Sequence, residues 1–281
     1  MTALPGKKKE TGMTLFRPNP ILNRLARVEE RARDNTATYA GIASKTCFFL
    51  LLTLAGMIAQ ILVSAAFSSE PVWQTVSIQK FAVELRKTET IILAAAAIAG
   101  FICQLIGIFA RRTIPVTGSV YAASQGYFIS FLVFKVLKGY EYLGLEALLL
   151  TVAVIAVMSW LYTSGRIQVD NKFRTVLLSL VLGSIGFGLL TFLGSLIPAT
   201  RPYVQALADN LALAIVLDVL GIVIASLFLV SDFHVIDTCV KEGYPRSYEW
   251  FAAFGLVFTV IWLYLKILDL IMQIAGNSKD N

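Results

Sequence analysis

Seven largely apolar stretches, each 16 to 25 residues long, constrain this 281-residue chain more than any motif in it. They centre near Leu54, Gly100, Gly126, Val154, Ile185, Gly221 and Phe258. A helix rises ~1.5 Å per residue, so about 20 apolar residues cross a ~30 Å hydrocarbon layer. Seven such runs leave no length for a separate soluble domain. The expected fold is all-α: a polytopic membrane protein of seven transmembrane helices, at about 40–67, 90–110, 116–137, 142–162, 175–197, 211–231 and 249–274. Composition agrees, with only 15% charged residues against roughly 25% in soluble domains.

Around this membrane domain, residues 37–275, the sequence sets a basic N-terminal tail, 1–36, and a polar C-terminal tail, 276–281. Residues 1–20 contain Pro5, Pro18 and Pro20 and no pattern that fixes a structure. Ile21–Asp34 spaces Leu22, Leu25 and Val28 for a short surface helix. The first apolar run starts near residue 46, beyond the usual n-region, and is expected to span rather than be cleaved.

Of the 24 basic residues, Lys7, Lys8, Lys9, Arg17, Arg24, Arg27, Arg31 and Arg33 precede the first run. With the N-terminus in the cytoplasm, Arg111, Arg112, Arg166, Lys172, Arg174, Lys241 and Arg246 join them on that side. Lys80, Arg86, Lys87, Lys138, Arg201 and Lys279 fall opposite. The positive-inside bias therefore places the N-terminus in and the C-terminus out, and the tail is suited to touch anionic lipid heads. Lys135 and Lys266 near outer helix ends are expected to snorkel. Nucleic acid is excluded as a partner, because no aromatic residues interleave with the basic ones.

The outer loop, about 68–89, carries the alternating Phe81, Val83 and Leu85 and is expected at the surface. No internal repeat suggests an inverted-repeat transporter. Small residues four apart, Ala96 with Gly100 and Ser184 with Gly188, allow close helix contact.

Charges in hydrocarbon cost about 2.5–3.5 kcal/mol near a helix centre, which singles out Asp218, Asp232, Lys266 and Asp269. Asp218 and Asp232 point the same way on the sixth helix, ~21 Å apart along its axis, with Gly221 and Ala225 between them. Such a stripe borders a cation path, or else Asp218 bonds a neighbouring helix and Asp232 ends its own. Lys266 and Asp269, three apart, form a neutralising pair on the last helix. His234, the single histidine, lies three residues before Asp237, a spacing that alone makes no metal site. Cys47 and Cys103 fall in expected helices and Cys239 in an expected polar loop, with no ligand spacing or disulfide framework. Zincin-type histidine pairs, nucleophile elbows and phosphate loops are lacking, so neither enzymatic activity nor a cofactor is expected.

The segments Leu229-Val230-Ser231-Asp232-Phe233, Tyr248-Glu249-Trp250-Phe251-Ala252-Ala253-Phe254-Gly255-Leu256 and Trp262-Leu263-Tyr264-Leu265 resemble the Bax inhibitor-1 family, its bacterial YccA-like branch in particular. Thr38-Tyr39-Ala40-Gly41, Tyr121-Ala122-Ala123-Ser124-Gln125-Gly126 and Ser164-Gly165-Arg166-Ile167 extend the likeness over roughly residues 18–274. The resemblance implies seven helices with a cytosolic N-terminus, a bacterial inner membrane, and a pH-sensitive Ca²⁺ or cation leak. In that family two aspartates on the last two helices share a proton. Asp232 matches the first of them. The second position falls on Lys266 when the Trp-Leu-Tyr-Leu segment is aligned and on Phe258 by ungapped spacing, and neither is an acid. The segment around Gln125 also lacks an expected glutamate. The resemblance thus makes Asp232 the inner gate, Asp218 part of the route, and Glu249 or Arg246 their partners. A non-conducting regulator or subunit, bound to a membrane protease or another membrane complex, is the alternative. A secondary transporter ranks behind both, for want of paired broken helices.

Overall fold

The computed structural model describes residues 35–78 and 81–277. The expected surface helix at Ile21–Asp34 lies outside them. From Ala37 onward the chain forms one compact unit.

Helix α1, Tyr39–Ala66, starts where the Thr38 hydroxyl accepts the Gly41 N–H at 3.0 Å, an N-cap that satisfies one orphan donor. A hairpin follows, β1 Val72–Ile78 antiparallel to β2 Phe81–Arg86. β1 is mostly exposed, so the segment lies at the surface, but as a paired hairpin whose alternation turns Phe81 and Val83 inward, both buried. Helix α2, Lys87–Phe109, leads through a single 3₁₀ turn, Arg111–Thr113, into α3, Ile114–Phe131. Pro115 is tolerated in the first turn of α3. The helix then widens into a π turn, Leu132–Val136, and stops before Gly139, whose φ of +85° few other residues adopt.

Helices α4, Tyr142–Thr163, and α5, Asn171–Leu196, are separated by Gly165 at φ +71° and by Asp170, which accepts the Phe173 N–H at 2.7 Å. A short α6, Arg201–Ala208, precedes α7, Leu211–Lys241, and α8, Tyr248–Asn277. α7 runs ten residues past the expected end at 231. Asp232, His234, Asp237 and Cys239 are therefore helical, and Cys239 is buried instead of lying in a polar loop. Polar residues lowered the apparent hydropathy there, but neighbouring helices cover their polar atoms and the helix continues.

Among the described residues six helices, α1, α2, α4, α5, α7 and α8, are long and apolar enough to cross a membrane. The outward faces carry large apolar side chains such as Leu51, Leu62, Ile98 and Leu190, the arrangement of a protein solvated by lipid. This is an all-α, multi-pass membrane protein. α3 is packed by α1, α2 and α8, while α8 packs against α7, α1, α4 and α3. Burial differs widely between helices: over the most apolar window of each, 56% of α8 lies inside the protein but only 6% of α5. The two small-residue pairs part ways accordingly. A β-carbon on Gly100 would stand 2.9 Å from the Ser124 side chain, whereas one on Gly188 would meet nothing within 4 Å.

Candidate functional site

Asp218 and Asp232 of α7 face α8 along one seam. At its hairpin end, Asp218 Oδ1 accepts from Lys266 Nζ at 3.2 Å and Oδ2 from Gln273 Nε2 at 2.6 Å. Lys266 also lies 3.7 Å from Asp269 one turn on, so the expected Lys266–Asp269 pair is the weaker half of a three-charge cluster. Gly221 makes room for it, because a β-carbon there would meet the Lys266 stem at 3.0 Å. Lys266 reaches across to α7 instead of snorkelling to the interface.

Fourteen residues further along α7, Asp232 lies against α8 at Gly255 and Thr259. A β-carbon on Gly255 would be 3.5 Å from Asp232 Oδ1, and the Thr259 hydroxyl is the polar neighbour. Asp232 Oδ2 is buried and has no hydrogen-bond partner among the described residues. Buried polar atoms are nearly always paired, so an orphaned carboxylate oxygen marks a place where something else binds or a proton resides. Between the two acids the seam is filled: Ala225 is fully buried and Ser226 bonds back to the Ile222 carbonyl at 2.7 Å. The seam is closed.

Glu249 and Arg246 do not meet Asp232. Gly255 and Thr259 lie six and ten residues beyond Glu249, roughly 9–15 Å along the axis of α8. Glu249 instead latches α8 to the start of α1. Its carboxylate is fully buried, ion-pairs with Lys45, and accepts from the Thr38 N–H at 3.0 Å and the Thr38 hydroxyl at 3.2 Å. Arg246 approaches it at 3.7 Å from a largely exposed position. Lys45 also lies over the Trp250 ring, 5.2 Å from its centroid.

Two further polar clusters were not visible in the sequence. Asp237 gathers the Tyr39 hydroxyl at 2.8 Å, the Tyr162 hydroxyl at 3.0 Å and Lys241 at 2.7 Å, joining α1, α4 and α7. His234 lines the same cavity as Asp237 and Lys241, and its own polar contact is with Arg174 at 3.4 Å. No group of three or more potential metal ligands occurs among the described residues. At the hairpin end, Glu89 holds Lys135 at 3.0 Å, with Arg86 at 3.7 Å. Lys135 is thus an ion-pair partner, not a snorkelling side chain. The signal missed was Glu89, an acid at the start of an apolar run.

The sequence matches the model of the family described as Bax inhibitor 1 like over residues 19–276. No curated protein matches the chain.

Proposed function

Because the chain belongs to the Bax inhibitor 1 like family, we propose that it leaks Ca²⁺ or another cation along the α7–α8 seam, gated by Asp232. The observation that carries this reading is the Asp232 carboxylate, buried in the seam with Oδ2 unpartnered. An ionised carboxylate in such a place needs a counter-charge, which a proton or a passing cation supplies. Exchange of one for the other makes flux depend on pH. Asp218 lies on the same route, and its ion pair with Lys266 shuts the hairpin end until α7 and α8 part.

In this reading α3 with its π turn is the seventh span, the N-terminal tail is cytoplasmic and touches anionic lipid heads, and the C-terminus lies outside. A bacterial inner membrane, as in the YccA-like branch, is the proposed location, and no catalytic step is assigned. The test is Ca²⁺ flux into liposomes at mildly acidic and mildly alkaline pH. Wild type passes the ion in a pH-dependent manner and Asp232→Asn loses that dependence. Unchanged flux and pH profile in Asp232→Asn would remove Asp232 from the gate.

A second reading is a non-conducting regulator or subunit that binds a membrane protease or another membrane complex. It is favoured by Thr259, a hydroxyl rather than a second acid opposite Asp232, and by the bare surface of α5, which leaves a helix face for another protein. It expects no flux from folded, inserted protein and a partner that co-purifies in mild detergent.

A further inference from the structure

Two cavities on the lipid-facing side of the bundle lie end to end along α1. The first is a groove of about 470 Å³ between α1, the end of α3, α4 and α8. Leu54, Met57, Val133, Leu145 and Leu148 give it apolar walls, and Leu54, Leu145 and Leu148 continue onto the exposed face. Its hydroxyls are already engaged. Thr53 donates to the Phe49 carbonyl at 3.1 Å, Thr151 to Ala147 at 2.7 Å and Tyr264 to Gly144 at 3.3 Å. With these donors spent, the groove interior offers a polar ligand little, whereas a hydrocarbon chain loses nothing by entering.

The second cavity, about 380 Å³, lies nearer the hairpin and is lined by Gln60, Ser64, Ser68, Arg86 and Lys135, with Phe134 common to both cavities. Its lining holds two cations and no acid. Glu89 sits behind them, pairing Lys135 at 3.0 Å and Arg86 at 3.7 Å, so both cations that line the cavity share one directly paired acid. The other nearby acid, Glu70, lies outside the lining: its carboxylate accepts from the Thr88 hydroxyl at 2.6 Å, and its backbone carbonyl accepts from Arg86 Nε at 3.2 Å, leaving the rest of the guanidinium to the cavity. The apolar groove has the opposite sign at its own rim. There Glu141 accepts the Gly139 N–H at 2.8 Å, which holds its carboxyl below the usual range. An anion is therefore directed to the Arg86–Lys135 end.

The π turn Leu132–Val136 supplies both chemistries at once, Val133 and Phe134 to the groove and Lys135 to the basic cavity. Along α1, Leu54 and Ser64 are separated by ten residues, ~15 Å, the thickness of one leaflet's hydrocarbon. Apolar groove and cationic cavity are thus spaced as the tail and the phosphate of a single lipid.

We propose that this face binds one anionic phospholipid of the hairpin-side leaflet, its phosphate at Arg86 and Lys135 and one acyl chain in the α1–α4 groove. The site is separate from the α7–α8 seam and stands whether or not the protein conducts. Two cations and no acid in the cavity lining give roughly a few-fold preference for an anionic over a zwitterionic headgroup.

The experiment is native mass spectrometry of the purified protein titrated with phosphatidylglycerol and with phosphatidylcholine of the same acyl chains. One phosphatidylglycerol is retained at several-fold lower concentration than phosphatidylcholine. Arg86→Gln abolishes that preference, weakening phosphatidylglycerol more than phosphatidylcholine. Leu148→Trp fills the groove from its exposed side, spares the charges, and weakens both lipids. Helical circular dichroism and elution volume establish that each variant is folded. Equal retention of the two lipids by the wild type, or a preference surviving in Arg86→Gln, overturns the proposal. So does undiminished binding in Leu148→Trp.

Discussion

Gly126 of α3 and Thr53 of α1 meet backbone to backbone: a β-carbon built on Gly126 would run into the Thr53 carbonyl oxygen. One turn away the relation is reciprocal, with Gly56 of α1 against the Ala123 carbonyl of α3. The two helices cross as closely as they do because neither carries a side chain at these points, the packing that small residues permit in membranes. This crossing holds α3 between α1 and α2, with α8 also packed against it.

Gly126→Ala should consequently force α1 and α3 apart. Overpacking costs about 1–3 kcal/mol in general, and here the obstacle is backbone, which cannot rotate away. The apparent Tm in detergent should fall by several degrees. Gly188→Ala, with open space around it, should melt like the wild type. Equal melting of all three proteins would mean that the crossing relaxes freely.

The Glu249 latch makes a second demand. Glu249→Gln keeps the shape and the Thr38 contacts but leaves Lys45 without its counter-charge in a mostly buried position. Breaking such a pair costs about 3 kcal/mol, while replacing both partners by apolar groups is often nearly neutral. Glu249→Gln should therefore lower the melting temperature more than the double variant Lys45→Met, Glu249→Met. Melting that is lowest in the double variant would make the pair a net source of stability.

The apolar runs were legible because membrane helices must be long and hydrophobic whatever their neighbours are. What was illegible is pairing. Asp218 and Lys266 are 48 residues apart and Glu89 and Lys135 are 46 apart, and no spacing rule brings them together. Lys135 and Lys266 read alone as snorkelling cations; each is held by an acid on another helix. The α7 boundary failed for a related reason. The stretch from Asp232 to Lys241 is polar enough to look like a loop, yet Tyr39 and Tyr162 satisfy Asp237 from α1 and α4 and keep the helix intact. Asp232 itself was legible as a charge in hydrocarbon, but its lone oxygen and the Thr259 opposite belong to packing.

Asp237 supports a third prediction. Tyr39→Phe and Tyr162→Phe each remove one hydroxyl donor to it and nothing else. A hydrogen bond to a charged group contributes about 1.5–3 kcal/mol, toward the lower end where solvent reaches it. Each variant should melt a few degrees below the wild type. The double variant should lose less than the sum, because the two hydroxyls share one carboxylate. Strict additivity would show that the two hydroxyls act on Asp237 independently of each other.

Lys266 provides the most direct question about the seam. Its ammonium lies between Asp218 at 3.2 Å and Asp269 at 3.7 Å, and its stem rests on Gly221. The Asp218 side of this cluster is nearly buried, while Asp269 is more exposed and its pairing is correspondingly weak. Lys266→Gln removes the cation that ties α8 to α7 at the hairpin end, leaving Asp218 with Gln273 and the neighbouring Asp269 carboxyl. If that tie shuts the seam, Lys266→Gln should raise Ca²⁺ flux into liposomes several-fold, whereas Asp269→Asn should leave it near the wild-type rate. Both variants must first elute as single folded species, since an unpaired Asp218 also loosens the helix pair. Flux unchanged in folded Lys266→Gln would show that the barrier lies elsewhere along the seam, and flux absent from every variant would favour the non-conducting reading.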